Sequence, residues 1–255
     1  MGTNSLRDLK LAGVKWELCD KTQLQKPKNE TKIEPSDFDL KLKNLKSQNI
    51  NQSIIPPVAP ISTSSAKDRV KNIKSLTDFI NAISNFDHPL RQFAKNIVIP
   101  HLCESSDLLI ITDVPSGDDD DKGQIMTGRA GDLLDKMLSA IGLKRNNVSI
   151  IPLVFWRTPG GRTPAREEID LIKPFISCAI SLLKPKVIIT MGTLPAAEII
   201  NAKLPKNHGE IIKNEDNIPV IPIYHPNYLI LKPDTKRDVW DALQKLQNLL
   251  KNGEI

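Results

Sequence analysis

Two groups of chemically capable side chains follow apolar segments that lie far apart in the chain. One apolar run ends at Asp113 and is followed by a loop rich in Pro, Gly and Asp. A second apolar run, residues 220–223, leads into Tyr224 and His225. A carboxylate can position water and offset positive charge, and a neutral imidazole can donate a hydrogen bond to a leaving group. Together they predict hydrolysis of a bond whose leaving group becomes negative.

Apolar strands alternate with helical patterns from residue 108 onward. The strands are predicted at Leu108–Val114, Val148–Val154, Lys186–Met191 and Pro219–Tyr224. The helices between and after them are predicted at Gly131–Ile141, Arg166–Leu183, Leu194–Asn201 and Lys236–Leu250. Continuously apolar strands separated by helices predict an α/β fold, a three-layer α/β/α sandwich with a central four-stranded parallel sheet. Chemistry in such sheets gathers where the strands end.

The first part of the chain has a different composition. Residues 1–66 are rich in Lys, Asn, Gln, Ser and Pro, and predict a flexible, partly helical arm with helices at Ser5–Leu18 and Phe38–Leu45. A sequence-independent DNA-contacting role for the arm stays open as the alternative. Residues 67–255 form the predicted domain, which opens with one helix over Val70–Ser84 and another over Pro89–Ala94. We expect no internal repeat.

Composition limits the class of protein. A formal net charge of +5 is compatible with nucleic-acid binding without requiring it. Three distant cysteines, Cys19, Cys103 and Cys178, form no paired motif and predict a reducing compartment. The sequence shows no signal-peptide pattern and no apolar run of membrane-spanning length, so we expect a cytoplasmic protein without membrane contact.

Five motifs in the same order resemble one family. They are TDVPS at 112–116, GQIMTGRAG at 123–131, WRTPGGRTP at 156–164, PKVIITMG at 185–192 and HPNYLI at 225–230. Over residues 75–249 the chain resembles the family 4 branch of the uracil-DNA glycosylase superfamily, and more closely a bacterial subgroup with a Trp-Arg-Pro-Pro segment. In that family the first motif reads Gly-Glu-Ala-Pro-Gly, so Thr112 matches a glycine and Asp113 a glutamate.

The resemblance implies a site and a reaction. His225 would stabilise the departing base, and Asp113 and Asp119 would position water and offset charge on the sugar. The residues implied to bind the base are Val114, Pro115, Met126, Pro152 and Asn227. Those implied to contact DNA are Arg129, Arg157, Arg162, Pro226 and Tyr228. The expected activity is hydrolysis of the N-glycosidic bond of uracil, or a related deaminated base, in DNA. That reaction initiates base excision repair. We expect the protein to be a monomer associated with the nucleoid.

Three departures from the family pattern bear on this activity. Met126 stands where the family has a phenylalanine that stacks on uracil, and Pro152 where it has an asparagine that reads the pyrimidine edge. The family's [4Fe–4S] cluster needs four cysteines, whereas Trp156 and Ile172 occupy two of the ligand positions. We therefore expect no cofactor and no metal.

Other interpretations remain open. His225 on its own is compatible with a structural histidine, and the acidic run 118–121 with a metal loop or a solvated loop. The arginines at 157 and 162 are equally compatible with plain surface charge. A catalytically impaired DNA-binding paralogue of the same fold is the main alternative function. A nucleotide-binding protein is a third, supported only by the parallel sheet.

Overall fold

The computed structural model describes residues 63–252. The predicted arm of residues 1–66, with its two helices, lies outside the described residues except for residues 63–66, which begin the first helix. Helix α1 spans Thr63–Val70 and α2 spans Leu76–Ser84. The single helix predicted over Val70–Ser84 is therefore wrong. Ser75 starts a new helix, because its Oγ accepts the Asp78 N–H while Asp78 Oδ2 accepts the Ser75 N–H.

The remaining elements alternate as the sequence predicts. In chain order they are β1 (Leu108–Thr112), α3 (Gly117–Lys122), α4 (Gly128–Ala140), β2 (Ser149–Pro152), α5 (Arg166–Leu183), β3 (Val187–Met191), α6 (Thr193–Ile200), β4 (Ile212–Lys213), β5 (Pro219–Ile223), α7 (Pro226–Leu231) and α8 (Lys236–Asn252). Short 3-10 turns lie at Pro89–Gln92, Arg145–Asn147, Pro159–Gly161 and Pro233–Thr235. The first of these stands where a helix over Pro89–Ala94 was predicted.

Within the described residues, the sheet has five strands in the order β2-β1-β3-β5-β4. The strands β2, β1, β3 and β5 are parallel, and β4 pairs antiparallel with β5 at the edge. The prediction of a four-stranded sheet is corrected by this fifth strand. Its two residues, Ile212 and Lys213, are not buried and carry no apolar run for sequence analysis to detect.

Alternation along β1 separates two apolar layers. Leu108 and Ile110 pack into a core that includes residues of α4 and α8, whereas Leu109 and Ile111 pack into a core that includes residues of α2 and α5. All four side chains are buried. The three-layer α/β/α architecture is confirmed. Because successive side chains of a strand point to opposite faces, Thr112 continues the side of α4 and α8, and Asp113 follows on the other side.

None of the helices within residues 63–252 combines the length and the apolar character needed to cross a membrane.

Candidate active site

The carboxyl ends of three neighbouring parallel strands open into one cleft. Asp113 follows β1, Gly192 follows β3 and His225 follows β5 closely, and all three residues line an open cleft of about 770 Å³. Parallel strands carry their carboxyl ends to the same edge of the sheet. The structure thus brings the imidazole and the first-motif carboxylate to a common wall.

His225 is held in a single direction at the start of α7. Its Nδ1 accepts the Asn227 backbone N–H at 3.2 Å, and its Nε2 lies 3.1 Å from Thr112 Oγ1. Because Nδ1 is occupied as an acceptor, the neutral ring carries its proton on Nε2. Burial lowers the pKa of His225 to about 4, although the negative charge of Asp119 acts in the opposite direction. The imidazole is therefore a neutral hydrogen-bond donor at pH 7.

Thr112 connects His225 to the buried layer behind it. Its side chain is 1% exposed, and its hydroxyl donates to Met126 Sδ at 3.6 Å. With its proton directed at sulfur, Oγ1 presents lone pairs to His225 Nε2–H. Nothing in the strand pattern singled out Thr112, whose only sequence signal is that it stands where the family motif has a glycine.

Asp113 is the carboxylate of the cleft wall. Its Oδ1 accepts the Val114 backbone N–H at 2.9 Å, and no described residue donates to Oδ2. Burial raises the pKa of Asp113, partly opposed by that hydrogen bond. A Cβ on Gly192, which has a φ of +113°, would lie 2.8 Å from Oδ2. Gly192 leaves the space that this carboxylate occupies, a role that sequence analysis did not assign.

Asp119 is buried in a network of its own. Its Oδ2 accepts the N–H and hydroxyl of Ser116, and its Oδ1 accepts the N–H and hydroxyl of Thr127. These four bonds use the acceptor capacity of a carboxylate. The bond from the Ser116 N–H, together with the Asp119 N–H that donates to Ser116 Oγ, forms the capping box of α3, in the segment predicted to be a loop. Asp119 therefore fixes the acidic segment and acts on His225 through its charge.

The residues predicted to bind the base divide into two sets. Val114, Pro115 and Asn227 line the cleft. Met126 and Pro152 are buried and do not line it. Met126 Sδ accepts from the Thr112 hydroxyl, and Pro152 is the register partner of Thr112 in β2. The resemblance implies that Met126 and Pro152 line a recess for the base behind His225. That recess holds the Thr112 hydroxyl and, beyond it, Met126 Sδ.

The residues predicted to contact DNA also differ in their surroundings. Arg129 and Arg157 are exposed, and neither forms an ion pair with a described residue. Arg162 lines the cleft but binds Glu168 through both terminal nitrogens, at 2.8 and 2.5 Å. Burial raises the pKa of Glu168, but its bonds with Arg162 and the Ala165 N–H outweigh burial and lower it overall.

The helix that follows His225 contributes one wall of the cleft. Pro226 is buried, whereas Tyr228 lines the cleft with its ring 4.9 Å from the ring of Tyr224. The Lys232 ammonium lies 5.3 Å from the Tyr228 ring centre, and Leu231 is 79% exposed at the cleft edge. An aromatic, apolar and basic edge is suited to an unstacked nucleic-acid strand. Tyr224 was predicted only as the end of a strand, and no sequence pattern indicated a role for Leu231.

The side chains at the family's cluster positions do not fit an iron–sulfur group. Trp156 and Ile172 are each 1% exposed, and the Trp156 ring stacks on His88 with centroids 5.0 Å apart. Both ring nitrogens of His88 have hydrogen-bond partners. Nε2 lies 2.9 Å from the Glu168 carbonyl oxygen, and Nδ1 accepts the Leu90 N–H. No thiolate stands at either position, and the described residues contain no group of three or more possible metal ligands.

Fold and site together define an α/β enzyme of the hydrolase class, in which a neutral histidine and a half-buried carboxylate share the cleft at the carboxyl edge of a parallel sheet. The model of the uracil DNA glycosylase superfamily matches residues 99–247. The chain belongs to this superfamily, and it is a glycosylase, an enzyme of the hydrolase class.

Several relatives are named type-4 uracil-DNA glycosylase. The one from Sulfurisphaera tokodaii is 29% identical over 171 residues, covering 63% of this chain and 77% of the relative. The one from Thermotoga maritima is 28% identical and covers 64% of this chain and 88% of the relative. A third, from Pyrobaculum aerophilum, is 34% identical over 119 residues, 46% of this chain and 61% of the relative. The resemblance to family 4 is confirmed.

Proposed function

We propose that this glycosylase hydrolyses the N-glycosidic bond of uracil, or of a related deaminated base, in DNA, and so initiates base excision repair. The observation that carries the proposal is the neutral His225, whose Nε2–H is fixed by the Asn227 N–H on the opposite ring nitrogen. The names of the relatives support the same substrate.

The reaction needs two complementary electrostatic contributions. As the bond between the sugar C1′ and the base nitrogen breaks, its electron pair passes to the base and negative charge grows on the base oxygen. The Nε2–H of His225 donates to that oxygen. One such donor contributes typically about 3–4 kcal/mol to the barrier reduction. Because the ring is neutral, it stabilises the anion by donating a hydrogen bond and keeps its own proton.

Asp113 serves the sugar side of the reaction. The developing positive charge on the sugar is offset by the carboxylate, and Oδ2, to which no described residue donates, is available to hold water. That water adds its oxygen to C1′ and gives a proton to Asp113, while the base leaves as an anion that accepts from the His225 Nε2–H. The anion then takes up a proton from solvent, and Asp113 returns its proton to solvent. The raised pKa of Asp113 improves its capacity as a general base near neutral pH. The products are a free base and an abasic sugar.

DNA would lie across the rim of the cleft. Arg129 and Arg157 supply charge without a competing acid among the described residues, and Tyr228 with Lys232 supplies a stacking edge. The base must leave the helix stack before it reaches His225, which costs a few kcal/mol. We further propose a monomer that acts in the cytoplasm on the nucleoid.

A second candidate is a DNA-binding paralogue with impaired catalysis. The specific observation in its favour is the filled recess, in which Thr112 and Met126 lie behind His225 and are 1% and 3% exposed. A base cannot reach Nε2 until these side chains rearrange.

Base release from a uracil-containing oligonucleotide separates the two candidates. The wild type is compared with His225→Ala and Asp113→Asn under single-turnover conditions, with abasic sites revealed by alkaline cleavage. The proposal requires release that falls by about 10²- to 10³-fold in His225→Ala. Binding without release in the wild type supports the paralogue. Parallel substrates with hypoxanthine and xanthine define the base, because Pro152 offers no side-chain amide to read it.

A further inference from the structure

We propose that Thr112 is a specificity-determining residue whose hydroxyl occupies, at rest, the place of the leaving-group oxygen at His225 Nε2. A base must displace this internal acceptor before His225 can assist its departure. The inference rests on the proposed function and adds a residue that limits it.

The direction of each hydrogen bond supports this role. The Asn227 N–H occupies His225 Nδ1, so that Nε2 carries the ring's only N–H. The acceptor of that N–H is Thr112 Oγ1 at 3.1 Å, and the Thr112 proton points to Met126 Sδ at 3.6 Å. Sulfur is a weak acceptor, so the arrangement leaves the oxygen electron-rich towards the imidazole.

The surroundings of Thr112 hold this oxygen in place. Thr112 is the last residue of β1 and pairs with Pro152 on one side and Met191 on the other. The Met126 backbone adopts a φ of +53°, and Arg145 donates to its carbonyl at 3.0 Å. Since both backbones are fixed, the recess opens only when the Thr112 or Met126 side chain rotates.

The free energy of the competition between the Thr112 hydroxyl and the base oxygen can be estimated. A net hydrogen bond contributes about 0.5–1.5 kcal/mol, so removing the competing acceptor corresponds to a gain of up to about tenfold. A glycine at this position, as in the family motif, offers neither oxygen nor side-chain volume. The Thr112 side chain therefore favours bases whose oxygen is a strong enough acceptor to replace its own.

Three substitutions separate hydroxyl from volume. Thr112→Val removes the acceptor and keeps the shape, Thr112→Ala removes both, and Thr112→Ser keeps the hydroxyl. We expect single-turnover release of uracil to rise severalfold in Thr112→Val, further in Thr112→Ala, and to stay within about twofold of wild type in Thr112→Ser. The matched control is Thr190→Val, because Thr190 is a fully buried strand threonine whose Oγ1 has no partner among the described residues.

A measurement without catalysis keeps the result interpretable. Affinity for an oligonucleotide with non-cleavable 2′-fluorodeoxyuridine is expected to increase in Thr112→Ala and Thr112→Val. In 15N-histidine spectra, exchange of the His225 Nε2 proton with water is expected to accelerate in both, but not in Thr112→Ser or Thr190→Val. Proton exchange accelerates when the Thr112 acceptor is lost. A general weakening of the core would accelerate it in Thr190→Val as well.

The outcomes distinguish the two proposals. If the wild type releases no base, but Thr112→Ala still binds the analogue more tightly and exchanges its Nε2 proton faster, the proposed reaction fails and the role of Thr112 stands. If Thr112→Ala and Thr112→Val neither bind nor cleave better than the wild type, the role of Thr112 is overturned even where the wild type is active.

Discussion

His225 Nε2 and Thr112 Oγ1 lie 3.1 Å apart, although their residues are separated by 113 positions in the chain. The contact exists because β1 and β5 end at the same edge of the sheet on either side of β3. It fixes the imidazole as a donor that faces the buried layer, while Asp113, on the other side of β1, borders the open cleft.

The pH dependence of the reaction rate is expected to reflect the ionisation of Asp113. Activity requires an ionised Asp113 and a neutral His225. Burial raises the pKa of Asp113, so the rate falls on the acid side above the ordinary aspartate range. With the pKa of His225 at about 4, His225 itself contributes no change of rate between pH 6 and pH 8. The measurement is single-turnover base release against pH. A limb near pH 6.5 that persists in Asp113→Asn would contradict the neutral buried imidazole.

The same histidine makes stability depend on pH. An unfolded histidine titrates near 6.5 and the folded His225 at about 4, so the unfolded state binds more protons between these values. The contribution of His225 to folding stability is thus complete above pH 6.5 and is lost as the pH falls towards 4. Urea midpoints of wild type and His225→Gln, taken at pH 7 and pH 5, measure the difference. We expect the wild type to lose more stability than the variant on acidification, and equal losses would refute the assignment.

Gly192 is expected to be required for the position of Asp113. A φ of +113° and ψ of 168° lie in a region open essentially to glycine, and a Cβ would lie 2.8 Å from Asp113 Oδ2. Gly192→Ala should lower the free energy of unfolding by about 1–3 kcal/mol and reduce base release at least tenfold. Gly142→Ala is the control, because it also has a positive φ but meets no atom within 4 Å. It should lose stability and keep its catalytic rate; equal catalytic loss in both variants argues against contact with Asp113.

Asp119 is expected to act mainly on stability. Asp119→Asn places an amide hydrogen against donors of Ser116 or Thr127, and should cost on the order of 2–3 kcal/mol of unfolding free energy. The neighbouring Asp121→Asn breaks only an exposed ion pair with Lys95, and should change it by less than about 1 kcal/mol. Thermal unfolding compares the two. If Asp119→Asn folds as stably as wild type yet loses base release, Asp119 takes part in the chemistry directly.

Substitutions of the three arginines are expected to differ in how they change the salt dependence of DNA affinity. Arg129→Gln and Arg157→Gln should each reduce the slope of log affinity against log salt by about 1 on a uracil-containing duplex. Arg162→Gln should leave the slope unchanged, because Arg162 is bound to Glu168, and should instead cost about 1–3 kcal/mol of stability. A reduced slope in Arg162→Gln would show that DNA displaces Glu168.

The side chains at the family's iron–sulfur ligand positions lead to a spectroscopic prediction. Protein purified without oxygen is expected to be colourless, because Trp156 and Ile172 offer no thiolate and Trp156 packs on His88. The visible absorbance of an iron–sulfur cluster would contradict this.

Sequence patterns were sufficient for the architecture around the site. Arg166–Leu183 is a helix with the predicted bounds, and four parallel strands alternate with helices as expected. The strand β4 was missed because its two residues are not buried and leave no apolar signal. The helix α3 was predicted as a loop because four consecutive aspartates conceal the capping box between Ser116 and Asp119.

The sequence by itself determined that Asp113 and His225 would meet, because apolar strands with helical connections must form a parallel sheet whose carboxyl ends share one edge. Only the tertiary structure decided what each side chain does there. Side-chain direction depends on neighbours from distant segments, so no local pattern predicted that Thr112 would accept from His225, that Met126 would lie behind it, or that Glu168 would bind Arg162. These contacts form when the core packs, and they determine which donors remain available to a substrate.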